Sequence, residues 1–382
     1  MKYICQFYVP VNNNEGRYYA LSACDKASYV FSVLNRLGHD VEVISASYAR
    51  KFSKQRTDRL NEHVTIISGF SLGWNNRVTK ILSMLSSMIW LLYYLLFRCK
   101  KNETIMIYHG VQNIPIYIIA SFIKRFNYIL EVEEIYSALS LKSGARWRAF
   151  LEKAIIKKAN SFIFASSQLE KKCNMNKKPF VIANGSYFVP EIISKKKDDG
   201  KIHLVYAGLI EKDKVAFKSA KIAKFLDERF IIHIIGYGNN EDIESLKFLI
   251  SEINKTSSCI VQYDGLKRGQ EYISFLQSCH IGICPLSSSK GFQMACFPSK
   301  ITSYLSNGLL VLTTDNDVLK HSSYKKYLYF APNDNPESFA YIVKTIDVKN
   351  LQNSRSCILE EDNRMLREMP HILINNERVC NN

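Results

Sequence analysis

Short apolar runs, rich in β-branched and aromatic residues, alternate along the whole chain with longer stretches of helical periodicity. In the first half the runs fall at residues 3–9, 41–47, 64–70, 104–109, 129–133, 161–166 and 180–183. Helical segments at 23–37, 76–97 and 145–159 lie between them. A strand followed by a helix long enough to return the chain is a βαβ unit, and a series of them predicts a parallel sheet covered on both faces. Residues 194–200, Ser-Lys-Lys-Lys-Asp-Asp-Gly, hold no apolar side chain and read as a linker or exposed loop. The pattern then restarts, with strands at 203–207, 230–235, 258–263, 280–284, 309–313 and 327–330 and the last strong helix at 335–347. The tail from Lys349 is charged and weakly periodic, a candidate closing helix that packs back on the first half.

The expected fold is therefore α/β. Two Rossmann-like, doubly wound domains, residues 1–189 and 190–382, face a cleft. Ligands of such sheets bind beyond the carboxyl ends of the strands. The length of 382 residues suits two domains. The charge changes the picture more. Fifty-one Lys and Arg against 35 Asp and Glu leave +16, which points to polyanionic partners such as anionic lipid, phosphorylated substrates or nucleic acid. Ten scattered cysteines form no C-x-x-C pair and read as small buried hydrophobes in a reducing compartment. Residues 3–9 contain Gln6 and are followed by Pro10, so they read as an opening strand and not as a secretion signal.

Residues 81–97 are 17 uncharged, mostly apolar positions with Arg77, Lys80, Arg98, Lys100 and Lys101 at their flanks. Three readings stand side by side: a buried crossover helix, a helix lying in a membrane interface, or a short span.

The most specific chemistry lies at 280–315. An apolar strand ends in Cys284-Pro285-Leu286, a polar loop follows, and Phe297-Pro298-Ser299-Lys300 opens a helix that ends at Asn307-Gly308. Pro298 suits a helix start and Gly308 a helix end. Free N–H groups at that start, with Ser299 and Lys300 beside them, suit a diphosphate. Gly208 closes the first strand of the second domain, with Lys212 and Lys214 just beyond. Gly236-Tyr237-Gly238 closes the next strand, and Tyr263-Asp264-Gly265 the one after.

The segment Phe-Pro-Ser-Lys-Ile-x-x-Tyr-Leu-x-x-Gly before an apolar strand resembles the donor-binding segment of GT-B glycosyltransferases. It is most similar to the group 1, family 4-like bacterial enzymes of O-antigen and capsule synthesis, and the order of motifs fits both domains of that family. The resemblance implies that Gly208, Lys212, Pro298, Ser299, Lys300 and Tyr304 meet the nucleotide diphosphate, and that Gly236, Tyr237 and Gly238 line the nucleobase pocket. It implies a UDP-hexose donor, with UDP-galactose and UDP-galactofuranose as candidates, and a lipid-diphosphate-linked saccharide as acceptor. It also implies a peripheral place on the cytoplasmic face of the bacterial inner membrane. The chain departs from the family at two positions: Ala295 and Ser303 stand where retaining members carry glutamates.

In the first domain the strand at 129–133 runs into Glu133 and Glu134, after Glu131. Clustered carboxylates raise one another's pKa, which suits a general base. Glu134 is the first choice, Glu133 the second. His109, at the end of the preceding strand, is a candidate to stabilise the leaving diphosphate. Gly16 and Arg17, in the loop after the first strand, are candidate contacts for acceptor or diphosphate. There is no D-x-D sequence, GT-B enzymes generally use Lys, Arg and helix dipoles in its place, and no essential metal or other cofactor is expected. The basic surplus concentrates in the first half, where 146–158 mixes Trp147 and Phe150 with cations, as an anionic membrane surface requires. A nucleic-acid-binding protein is the alternative the charge allows, but no helix-turn-helix, RRM, KH or zinc pattern appears and nucleic acid is not an expected partner. A non-catalytic GT-B-like scaffold is the alternative the two missing glutamates allow.

Overall fold

A computed structural model describes residues 1–7, 14–19, 21–135, 145–286, 297–348 and 353–378. Ala295, one of the two positions without the family's glutamate, lies outside the described residues. The chain forms two compact units. The first holds residues 1–186, 295–297 and 363–382, the second 187–294 and 298–362.

In the first unit the strands are β1 (Lys2–Cys5), β2 (Val41–Ser45), β3 (Arg56–Asn61), β4 (Val64–Ser68), β5 (Thr104–Tyr108), β6 (Asn127–Val132), β7 (Ser161–Phe164) and β8 (Phe180–Ile182). The helices are α1 (Leu21–Arg36), α2 (Arg77–Arg98), α3 (Ile114–Lys124), α4 (Ala145–Lys158) and α5 (Ser167–Cys173). The sheet order is β3-β4-β2-β1-β5-β6-β7-β8, parallel except for β3 on β4. The order reverses between β1 and β5, which makes that gap the switch point of the sheet. Pattern reading missed β3. Its sequence, Arg-Thr-Asp-Arg-Leu-Asn, is polar because both faces of this edge strand meet solvent, so it carries no apolar alternation.

In the second unit the strands are β9 (Ile202–Leu209), β10 (Phe230–Tyr237), β11 (Ile260–Tyr263), β12 (Ile281–Cys284), β13 (Leu310–Thr314) and β14 (Leu328–Ala331). The helices are α6 (Val215–Lys221), α7 (Asn240–Thr256), α8 (Gly269–Ser278), α9 (Ser299–Ser306), α10 (Asp317–Lys320), α11 (Pro336–Val343) and α12 (Ser354–Arg378). All strands are parallel, in the order β11-β10-β9-β12-β13-β14. That is the Rossmann order, with its switch point between β9 and β12. These buried strands read as near-continuous apolar runs, as a sheet covered on both faces requires: β10 is Phe-Ile-Ile-His-Ile-Ile-Gly-Tyr.

The segment at 190–200 is pinned to the second unit. Gln277 is buried; its Oε1 accepts from the N–H groups of Ile193 (2.8 Å) and Ser194 (3.1 Å), and its Nε2 donates to Glu191 O (2.7 Å). The tail contains the longest helix of the chain. α12 runs 25 residues and ends in the first unit, where Ile372 is fully buried and its carbonyl accepts from Ser161 Oγ. Eight described cysteines are free, and six of them are buried.

α2 begins with a capping box. Asn76 Oδ1 accepts from Thr79 N (2.9 Å), and Thr79 Oγ1 accepts from Asn76 N (3.1 Å). Its inner face, Ser87, Trp90, Leu91, Tyr94 and Leu95 among others, is buried. Its outer face is not: Ile81, Leu85, Ile89, Tyr93 and Phe97 are exposed. Length and composition would let α2 cross a bilayer, with a mean hydropathy of 1.6 and a third of that window buried. Both its ends, however, feed parallel strands of one sheet, so it is a crossover helix with one apolar face left to the outside.

Candidate functional site

Next to the switch point of the second sheet, on the β10 side of β9, β9 and β10 end in facing glycines, Gly208 opposite Gly236. A Cβ on Gly236 would lie 1.8 Å from Gly208 O, and its φ of +148° is one that other residues rarely adopt. The strand ends thus approach more closely than any side chain permits. A Cβ on Gly208 would meet Lys300 instead, at 2.6 Å from Cε and 2.9 Å from Nζ. Lys300 is the second residue of α9, and its ammonium lies 5.2 Å from the centre of the Tyr206 ring. Among the described residues it makes no ion pair. Its charge is therefore held over the end of β9, next to the free N–H groups of a helix start.

Tyr304 fixes α9 in that place. Its hydroxyl accepts from Ala207 N (2.9 Å), and its ring packs on Gly282 of β12, where a Cβ would come within 2.3 Å. Burial pushes the Tyr304 hydroxyl well above its ordinary pKa, so it stays a neutral partner. Pro298 is the residue before the helix rather than inside its first turn, and Ser299 is exposed at the helix start. Tyr237 is half exposed beyond the Gly236 turn, whereas Gly238 lies tight against Ile210 O. Gly208, Gly236, Ser299, Lys300 and Tyr304 are thus gathered around one strand end. Lys212 is not among them: its side chain lines a surface depression with Phe217, Glu244 and Phe248, between α6 and α7. Lys214 is taken by Glu211 at the surface. Ser303, at one missing-glutamate position, shares a hydrogen bond with Tyr272 (Oγ to OH, 3.2 Å).

In the first unit, β6 carries Glu131 into the interior. Tyr3 of β1 donates its hydroxyl proton to Glu131 Oε2, and Lys26 Nζ lies 3.7 Å from Oε1. Lys26, itself buried, also pairs with Glu133 Oε1 (2.8 Å) and donates to Ala183 O (2.5 Å). Burial raises the Glu131 carboxyl to about 7, against the opposing pull of Lys26. The acidic run therefore divides. Glu131 is a buried, half-neutralised carboxyl, Glu133 is a partly exposed partner of Lys26, and Glu134 is partly exposed on the turn. Nothing near the run in sequence announces Lys26 or Tyr3, which arrive from α1 and β1.

His109 is buried. Its backbone N–H donates to Glu131 O (2.9 Å), Nδ1 donates to the Glu134 carbonyl (3.2 Å), and Nε2 lies 3.5 Å from Glu152 Oε1 of α4. Burial lowers its pKa. The structure thus turns inward a residue that the sequence reading aimed at a diphosphate. His109 holds the Glu134 turn in place, and α4 holds His109. Arg17 is also buried, tied to Glu15 (2.5 Å) and to Ser47 O (3.0 Å). It locks the loop after β1 to the end of β2, and does not reach outward as a ligand contact. Gly16, at φ +62°, lies against the Arg50 side chain. Among the described residues no group of three or more His, Cys, Asp or Glu side chains gathers as metal ligands.

No protein-family model and no curated protein sequence matches the chain. Solved structures do. A trehalose-6-phosphate synthase from Burkholderia multivorans superposes with a TM-score of 0.65 at 10% identity, covering 100% of this chain and 98% of that one. A sucrose-phosphate synthase from Thermosynechococcus elongatus gives 0.67 at 12% identity, with coverage of 100% and 98%. A trehalose-6-phosphate protein from E. coli bound with UDP-2-fluoro glucose gives 0.63 at 8% identity, with 95% of each chain covered. At such identities the likeness shows the fold: two Rossmann-like domains in the GT-B arrangement of elements.

Proposed function

We propose that the chain is a nucleotide-sugar-dependent hexosyltransferase. The observation that carries this reading is the end of β9, where the missing side chain of Gly208 lets Lys300, from the start of α9, hold an unpaired cation over the strand end beside a helix N-terminus. The UDP-glucose analogue in one structural neighbour and the synthase activities named for others agree with it. The donor is a UDP-hexose. The acceptor hydroxyl attacks the anomeric carbon as its bond to the diphosphate oxygen breaks. Lys300 and the α9 N–H groups take up the charge on the departing diphosphate. In an inverting transfer the hydroxyl proton passes to Glu134 or Glu133. Ser303 and Tyr272 offer the ribose neutral hydroxyls where the related family offers a carboxylate.

The acceptor is a lipid-diphosphate-linked saccharide, met at the cytoplasmic face of the inner membrane in the synthesis of O-antigen or capsule. The support for this part is the surface of the first unit. The exposed apolar row of α2 is continued by Ile119, Phe122 and Ile123 of α3, which packs beside it, and by Trp147 and Phe150 of α4. Arg98, Lys100, Arg125, Arg146 and Arg148 are exposed close to these side chains in sequence, and such a mixture favours anionic lipid.

The test is a nucleotide-sugar panel followed by transfer assays. UDP-hexose binding is expected in the wild type. Lys300→Ala and Glu134→Gln are each expected to lower transfer at least about tenfold, the scale of losing a general base or a charged contact. Wild-type activity in both variants would sink the site assignment.

A further inference from the structure

At the end of β9 opposite to Gly208, three histidines meet. His203 is the second residue of β9, His233 lies within β10, and His280 directly precedes β12. All three are buried. His203 Nδ1 and His233 Nε2 are 2.9 Å apart and the ring planes lie within 14° of each other, the geometry of an in-line hydrogen bond between rings. On the far side of each ring stands a carboxylate. His203 Nε2 lies 3.0 Å from Asp199 Oδ1, and His233 Nδ1 lies 2.9 Å from Asp264 Oδ2. The four side chains form one row, Asp199–His203–His233–Asp264.

The row needs more protons than two neutral rings carry. Each of its three bonds takes one hydrogen. An ionised carboxylate only accepts, so both outer hydrogens come from the rings. A neutral imidazole has one N–H. Once both are spent on the carboxylates, two lone pairs face each other across 2.9 Å in a buried place. One further proton, shared by the rings, completes the row.

The other groups facing His203 act in different directions. His280 is a fixed acceptor: its Nδ1 takes the His203 N–H (3.0 Å), and burial, with Lys196 nearby, lowers its pKa to about 4. Lys196 is itself tied to Cys279 O. Lys197, whose Nζ lies 3.4 Å from His233 Nε2, opposes the extra charge, and Asp199 favours it. Burial outweighs Asp199 and lowers the His203 pKa, so the extra proton arrives in mildly acid conditions. The two carboxylates also differ in freedom. Asp264 directly follows β11, whereas Asp199 is half exposed in the turn through which the segment at 190–200 enters β9. Without the extra proton His203 keeps its single N–H for buried His233, and the bond to Asp199, which water can replace, gives way.

We propose that His203 and His233 form a proton-operated latch: uptake of one proton binds Asp199 to His203 and closes the turn at 198–201 onto the second unit, and loss of that proton frees the turn. The latch goes beyond the hexosyltransferase reading and stands without it.

The test uses the full-length protein, isotope-labelled in its histidine ring nitrogens and followed by NMR from about pH 8 to about pH 5. His203→Gln and His233→Gln assign the signals. In the wild type the two rings are expected to take up one proton between them at a single midpoint. Protection of the amides at 198–201 from hydrogen exchange, corrected for the intrinsic rate, is expected to rise through that same midpoint. Asp199→Asn is expected to lower the midpoint by about one pH unit, and Lys197→Gln to raise it by about as much. A merely structural role for these side chains would not move it in opposite directions. Melting temperatures check that both variants fold; should either fail, the wild-type titration decides by itself. Rings that titrate independently, or a midpoint that neither substitution moves, overturn the latch. A shared midpoint with no change in exchange at 198–201 overturns the closing of the turn.

Discussion

Glu131 shows how far a single position can depart from its sequence neighbourhood. Three acids in a row of four look like one cluster, yet only Glu131 is fully buried, where it meets Tyr3 and Lys26. Its carboxyl is raised to about 7 by burial, whereas an unfolded Glu titrates near 4.5. The folded state therefore holds this proton more tightly than the unfolded chain. The contribution of Glu131 to stability is full below about pH 4.5 and is lost as pH rises through about 7. Glu131→Gln, which cannot lose a proton, is expected to gain in melting temperature relative to wild type as pH goes from 5 to 7.5. Parallel melting curves for the two proteins across that range would refute the assignment. The acids were legible in the sequence as chemistry. Which of them is buried was not, because Lys26 and Tyr3 lie more than a hundred positions away.

At the scale of elements, α2 settles between the readings its sequence left open. Apolar composition all round predicts burial or lipid, and the crossover between β4 and β5 fixes the inner half of the helix against the sheet. The outer half is an exposed apolar row, and α3 and α4, which follow beside it, expose further large apolar side chains. If that surface meets anionic lipid, replacing Ile89, Phe97 and Phe122 together by Ser should abolish flotation with phosphatidylglycerol vesicles and leave UDP-hexose affinity intact. Retained flotation would leave the apolar row without a membrane role. α9 was the most legible element, since Pro298, Ser299 and Gly308 mark its ends in the sequence. β3 was the least, since an edge strand with two wet faces has no hydrophobic period to read.

At the scale of the whole molecule the chain order and the division into units diverge. α12 starts in the second unit and its residues from 363 onward belong to the first, with Met365, Met369 and Ile372 fully buried. Arg364 caps the end of β8 by donating to Ile182 O (2.8 Å). Deleting residues 354–382 should therefore destabilise the first unit by more than the about 3 kcal/mol typical of a large core loss, seen as a lower melting transition. An unchanged melting profile would show the tail to be dispensable. Periodicity, β-branched runs and turn residues were enough to determine two largely parallel α/β sheets and the helix start at Ser299. These follow from local physics: strand and helix periods, caps and turn residues a few positions apart. Tertiary structure alone decided that Lys300, and not Lys212, stands over Gly208. It also buried His109 and Arg17 as braces, raised Glu131, and left Arg50 and Lys80 without a carboxylate beside Trp74. Each of those outcomes depends on which distant element a side chain meets, and burial and charge pairing act through space rather than along the chain.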